Sequence, residues 1–130
     1  MATAKAQLNN YRQSPRKVRL VAGLVRGKPV KRAEAMLKFA GKAAAVPVLK
    51  LIKSAEANAK ANGMNAENLV VSKITVDAGK TLFRGRPMSR GRAFRIRKRT
   101  SQIFVELSDA PKVGSAVAKS VAAAKSDKSK

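Results

Sequence analysis

One basic segment constrains this chain more than any other feature. Residues 80–99, KTLFRGRPMSRGRAFRIRKR, contain nine Lys and Arg and no acidic residue. The segments on either side have strand-like patterns, and Gly and Pro lie near the middle. The sequence therefore predicts two extended strands closed by a turn. Such an arm repels itself and cannot bury a core of its own, so it needs a partner with dense negative charge, such as phosphate.

The composition of the whole chain limits the classes of function that are open to it. Its 29 Lys and Arg against 7 Asp and Glu give a net charge of +22, and 45% of its 130 residues are hydrophobic. A single domain with a modest core is expected rather than a fully disordered basic chain. There is no Cys and no His, which excludes disulfides, the common zinc sites and the Ser-His and Cys-His nucleophile systems.

The scattered carboxylates suggest no catalytic pair, so neither an enzyme nor a metal site, cofactor or small-molecule substrate is expected. The longest apolar runs fall short of the ~18 residues that suggest a membrane span. The N-terminal residues also lack the apolar region of a secretory signal. A soluble, non-secreted protein without a membrane partner is the expectation.

Three helices are predicted before residue 63. The first starts at Ser14-Pro15 and stops near Gly27, because Ser favours the N-cap, Pro the first turn and Gly the C-terminal end. The second runs from about Val30 to Phe39 and the third from about Ala43 to Asn62. The predicted buried residues are Val18, Leu20, Val21, Leu24 and Val25 in the first helix, Ala33, Met36 and Leu37 in the second, and Val48, Leu49, Ile52, Ala55 and Ala59 in the third.

Strand patterns cover Lys5 to Arg12, Leu69 to Val76 and about Ala93 to Leu107. In the last of these, the apolar residues of the C-terminal half have the same parity as the arginines of the N-terminal half. One continuous strand is therefore expected to face the core at one end and phosphate at the other. These residues are Arg95, Arg97, Arg99, Ile103, Val105 and Leu107.

A GKT sequence at Gly79–Thr81 resembles part of a phosphate-binding loop. A full loop needs a Gly five positions earlier, where this chain has Ile74, and it needs a helix to follow. The sequence instead predicts a second strand after it. We interpret the match as coincidence and predict a bend at Gly79.

The basic residues form two clusters, one in the arm and one from Arg12 to Arg32. A basic helix face is often merely solvated, but the large net charge favours phosphate contact, and Arg binds phosphate oxygens with a forked geometry. Phe83 and Phe94 either pack across the hairpin or insert against RNA bases, and the residues leave both readings open. The predicted RNA-binding residues are Arg12, Arg16, Lys17, Arg19, Arg26, Lys28, Lys80, Arg84, Arg86, Arg90, Arg92, Arg95, Arg97, Lys98 and Arg99.

Three blocks resemble, in order and spacing, the bacterial L22 (uL22) family of large-subunit ribosomal proteins. They are SPRKVRLVAGLVRGKPVKRA from Ser14, PVLKLIKSAEANA from Pro47 and RGRAFRIRKRTSQIFVEL from Arg90. The resemblance implies an α+β fold in which three helices pack on a small three-stranded antiparallel sheet with a long protruding β-hairpin. Residues 1–110 would form a single domain, with the hairpin at about 77–100. Residues 111–130 lie outside the resemblance, and their Ala/Lys/Ser-rich composition predicts a basic, mostly disordered tail.

The resemblance also implies a function. The protein would be a cytoplasmic, structural part of the large ribosomal subunit that binds 23S-type rRNA, aids subunit assembly and contacts neighbouring ribosomal proteins. The hairpin tip would line the exit tunnel and meet the nascent polypeptide. The tip residues implied are Leu82, Phe83, Arg84, Gly85, Arg86, Pro87, Met88, Ser89, Arg90 and Gly91. The alternative is a free histone-like protein that compacts nucleic acid, which the Ala/Lys-rich tail favours.

Overall fold

The computed structural model describes residues 2–109, and the predicted tail at 111–130 lies outside them. The elements in chain order are β1 (Thr3–Tyr11), α1 (Pro15–Val25), α2 (Val30–Phe39), α3 (Ala45–Ala61), β2 (Leu69–Ala78), β3 (Leu82–Pro87), a single 3-10 turn (Ser89–Gly91), β4 (Ala93–Lys98) and β5 (Ser101–Asp109). Both ends of α2 agree with the prediction, and α3 is shorter than predicted by two residues at its start and one at its end.

The body of the protein is a three-stranded antiparallel sheet covered by the helices. The strand order is β1-β5-β2, so β5 lies in the centre. Its alternate residues Ile103, Val105 and Leu107 are completely buried, because one face of a pleated strand points to the core. From α3, Ile52 and Ala55 are buried in the same core. The predicted α+β class and three-stranded sheet are confirmed.

The buried side of α1 differs from the prediction in two residues. Val18, Val21, Ala22 and Val25 are buried, as their spacing of three and four residues requires. The sequence also placed Leu20 and Leu24 inside, and this was wrong: they are 70% and 46% exposed. At about 100° per residue, Leu20 lies some 200° around the helix from Val18 and therefore points away from the core.

Smaller differences occur in the other two helices. In α2, Met36 is only half-buried, although Ala33 and Leu37 are buried as predicted. In α3, Leu51 is buried although it was not among the predicted buried residues, and Leu49 is half-buried and packs against the core.

The arm is a separate two-stranded sheet formed by β3 and β4. The prediction of one continuous strand from Ala93 to Leu107 was wrong, because residues 99 and 100 interrupt the strand between β4 and β5. At the break, Thr100 and Ser101 are both buried, and their hydroxyls donate to the backbone carbonyls of Lys80 and Gln13. Two consecutive buried residues interrupt the alternation of a strand. The arm arginines therefore do not continue the face that carries Ile103.

The turn at the end of the arm takes up only part of the tip that the resemblance implied. Leu82 lies opposite Lys98 at the base, and Pro87 lies opposite Ala93 at the far end. Residues 82–87 are therefore the outgoing strand, and only residues 88–92 form the turn. Left-handed backbone conformations at Arg90 (φ 60°) and Gly91 (φ 68°) close it.

A close backbone approach at Gly79 joins the arm to the body. The Gly79 N–H donates to the Thr100 carbonyl over 2.9 Å. A Cβ at position 79 would lie 2.5 Å from the Thr100 Oγ1 and 3.4 Å from its carbonyl carbon. That hydroxyl is buried and donates to the Lys80 carbonyl over 2.7 Å, so it cannot move without losing its partner.

We expect Gly79→Ala to lower the free energy of unfolding by about 1–3 kcal/mol, the usual range for overpacking. Gly85→Ala in β3 is the matched control, because a Cβ there meets no heavy atom within 4 Å. Urea unfolding of both variants measures the difference. Equal values for the two glycines would contradict the importance of this approach.

Candidate RNA-binding interface

The topology brings the two predicted basic clusters together at the base of the arm. The end of β1 meets the start of β5, where Tyr11 pairs with Ser101. The Ser101 hydroxyl then donates to the carbonyl of Gln13. Since Ser101 lies only two residues after Arg99, residues 12–17 lie beside residues 97–99.

A groove of about 570 Å³ opens at this junction, and we call it the basic groove. Five of its seven lining residues are cationic and none is acidic. Such a concentration of like charge is unfavourable unless an anion neutralises it. The guanidinium groups supply forked donors that match phosphate oxygens. The lining residues are Arg12, Gln13, Ser14, Lys17, Arg97, Lys98 and Arg99.

The acidic residues between positions 2 and 109 do not neutralise this region. Within residues 2–109 the ion pairs are Lys5–Glu106 at 3.7 Å, Lys31–Glu67 at 3.6 Å and Lys60–Glu56 at 2.9 Å. None of them involves α1, the arm or the basic groove. The cations there are therefore available to an external anion.

The predicted RNA-binding residues are exposed, apart from the half-buried Lys28. Those of the arm point to both faces of its ribbon, because residues opposite each other share a face and neighbours alternate. Arg95 and Arg97 lie on one face, and Arg84, Arg86 and Lys98 lie on the other. The arm thus offers positive charge in two directions.

Arg19 and Arg26 have a structural contact that the sequence did not reveal. The strand β2 is an edge strand, and its outer carbonyls need partners. The Arg19 Nε donates to the Val76 carbonyl over 3.0 Å, and the Arg26 Nη2 donates to the Ile74 carbonyl over 2.9 Å. A guanidinium has five N–H donors, so both residues keep donors for phosphate while they hold α1 against the sheet.

Sequence reasoning missed Gln13 and Ser14 as groove residues. Both are uncharged, so a search for basic clusters passes over them, and their place in the groove follows from the hydrogen bond of Ser101 to Gln13. The GKT residues lie between β2 and β3 with no helix after them, which agrees with the interpretation of a coincidental match. Within residues 2–109, no helix is long and apolar enough to cross a membrane.

Comparison with known proteins identifies the family. The profile of the family described as ribosomal protein L22p/L17e matches residues 6–108, which include the arm and every residue of the basic groove. The chain belongs to this family. It is accordingly a structural ribosomal protein and not an enzyme.

Curated relatives cover most of the chain. A protein of Mesoplasma florum, named large ribosomal subunit protein uL22, is 54% identical over 107 residues, which are 82% of this chain and 96% of that protein. Proteins of the same name from Mycoplasma capricolum and Herpetosiphon aurantiacus are each 52% identical over 107 residues and 82% of this chain. These matches cover 96% and 95% of the two relatives.

Proposed function

We propose that this protein is a constituent of the large ribosomal subunit and binds the large-subunit rRNA through the basic groove and the arm. The basic groove is the observation that carries the proposal, because five cations converge there without an acid. The curated relatives are named as large-subunit proteins, which supports the choice of rRNA as the polyanion.

The mechanism is neutralisation of phosphate charge, which lets RNA segments pack together during subunit assembly. The groove would hold the RNA backbone where the arm leaves the body. The hydrogen bonds of Thr100 and Ser101 to Lys80 and Gln13 give the arm a defined direction. In this proposal residues 1–110 act as one unit with the arm, and residues 111–130 add a basic tail.

The tip of the arm is the part that would line the exit tunnel. Its turn, residues 88–92, lies at the far end of the ribbon from the body and is exposed throughout. A basic arm surrounded by rRNA would present this turn to the nascent polypeptide. Neighbouring ribosomal proteins would contact the body. The rival function, a free histone-like protein that compacts DNA, gains no support from the family match.

A unique cysteine tests both parts of the proposal, since the chain has no Cys. We expect Ser89→Cys protein to sediment with large ribosomal subunits after a salt wash. With a bis-maleimide reagent added, its thiol should be cross-linked to a stalled nascent chain that carries one cysteine. Ser54→Cys, exposed on α3, is the control and should sediment equally without forming the cross-link. Migration with nucleoid DNA would contradict the ribosomal role, and equal cross-linking from both positions would contradict the tunnel role.

A further inference from the structure

Two phenylalanines in the arm remain exposed although the fold has a core. Phe83 is 50% exposed and Phe94 is 59% exposed. Burying one Phe side chain is worth about 1.5–3 kcal/mol, and about half of this gain is unused at both positions. The strands β3 and β4 pair only with each other, so within residues 2–109 no second layer covers either ring.

The register shows that the two rings do not pack against each other. Phe83 lies opposite Arg97, and Phe94 lies opposite Arg86. Counting along the alternating strands places Phe83 on one face of the ribbon and Phe94 on the other. The two aromatic rings therefore do not pack on each other, and any packing across the hairpin involves other side chains.

Each ring instead has arginine neighbours. Arg95 lies opposite Gly85, diagonally across the ribbon from Phe83 and on the same face. Its guanidinium carbon is 5.7 Å from the centre of the Phe83 ring, within the range of a cation–π contact. On the other face, Arg86 and Phe94 line a depression of about 400 Å³ beside the turn, together with Pro87, Met88 and Ser89.

From this arrangement we propose that Phe83 and Phe94 are two base-stacking platforms, one on each face of the arm, that each bind an unpaired RNA base. A planar aromatic ring flanked by guanidinium groups fits a nucleotide. The base stacks on the ring while the phosphate contacts the arginines. The absence of acidic residues from 80–99 favours a polyanion over an apolar peptide. The inference rests on the proposed function and adds base contacts to its phosphate contacts.

Single-tryptophan variants test the stacking directly, because the chain contains no Trp. The full chain is prepared as Phe83→Trp, Phe94→Trp and, as control, Phe39→Trp at the end of α2, where Phe39 is 91% exposed on the body. The probes are an oligoadenylate of about a dozen nucleotides and an abasic ribose-phosphate strand of the same length. We expect the oligoadenylate to quench the indole fluorescence of both arm variants but not that of the control variant. The abasic strand should quench none of the three.

Affinity gives a second readout. Stacking is worth about 1–3 kcal/mol per base, so the oligoadenylate should bind roughly 5- to 150-fold tighter per stacked base than the abasic strand. The double variant Phe83→Leu, Phe94→Leu should lose this preference while its affinity for the abasic strand stays unchanged. Phe39→Leu should alter neither affinity.

The possible results separate stacking from the proposed function. Equal, salt-dependent binding of both strands by the wild type would overturn the stacking and leave the RNA-binding function intact. A second result to look for is blue-shifted emission of the Phe94→Trp variant with an apolar peptide, together with no response to the oligoadenylate. This result would indicate a protein partner and overturn the proposal. Failure of both strands to bind at low salt would overturn the stacking together with the proposed function.

Discussion

Replacing Arg12, Arg97 and Arg99 together by Gln is expected to weaken binding to large-subunit rRNA about a hundredfold, taking about 1 kcal/mol for each lost contact to phosphate. All three residues line the basic groove. The dependence of log affinity on log salt should also become shallower by about 2, since each neutralised phosphate contributes roughly 0.7 on single strands. Binding titrations at several salt concentrations measure both effects.

A charge-matched variant shows whether the groove or only the net charge matters. Lys38, Lys42 and Lys53 are exposed and lie outside the basic groove, so changing them to Gln removes the same charge. We expect this variant to lose much less affinity. Both variants should melt near the wild-type temperature, because exposed side chains contribute little to stability. Equal losses of affinity would contradict the groove, and a large fall in melting temperature of the groove variant would show that its arginines hold the fold together.

Changing Ile52 to Asp is expected to unfold the body. Ile52 is completely buried in α3, and an unpaired carboxylate in the core costs more than about 4 kcal/mol. This is comparable to the whole stability of a small domain, about 5–15 kcal/mol. Circular dichroism on heating should show no cooperative transition at room temperature or above.

The neighbouring change Lys53→Asp is the control for this core substitution. It introduces the same side chain at an exposed position of the same helix, so the melting temperature should fall by only a few degrees. A cooperative transition of the Ile52→Asp variant close to that of the control would mean that α3 does not pack as described.

Several elements could be predicted from the sequence because their signals are local. The bounds of α2, Val30–Phe39, were predicted correctly, and so was the start of α1 after Ser14. The alternation of Ile103, Val105 and Leu107 correctly indicated the buried face of β5. In each case the pattern lies within one helix or strand, where periodicity reports directly which side is apolar.

The two main errors have different origins, one in a contact between distant residues and one in the angular positions of residues around a helix. Nothing in residues 93–107 marks the interruption of the strand at Thr100, whose hydroxyl donates to the Lys80 carbonyl, 20 residues earlier in the chain. Leu20 and Leu24 are apolar but lie on the side of α1 that faces away from the sheet. Hydrophobicity alone does not reveal which apolar residues a helix leaves exposed.

The sequence by itself determined the class of partner and the type of fold. Charge and composition are additive over the chain, so +22 with an arm free of acids indicates a polyanion whatever the tertiary structure. Only the tertiary structure decided that Arg12 and Lys17 meet Arg97 and Arg99 in one groove. It also decided that Phe83 and Phe94 lie on opposite faces of the arm. Strand order and register bring together residues some 80 positions apart, and these depend on how the whole core packs rather than on any local pattern.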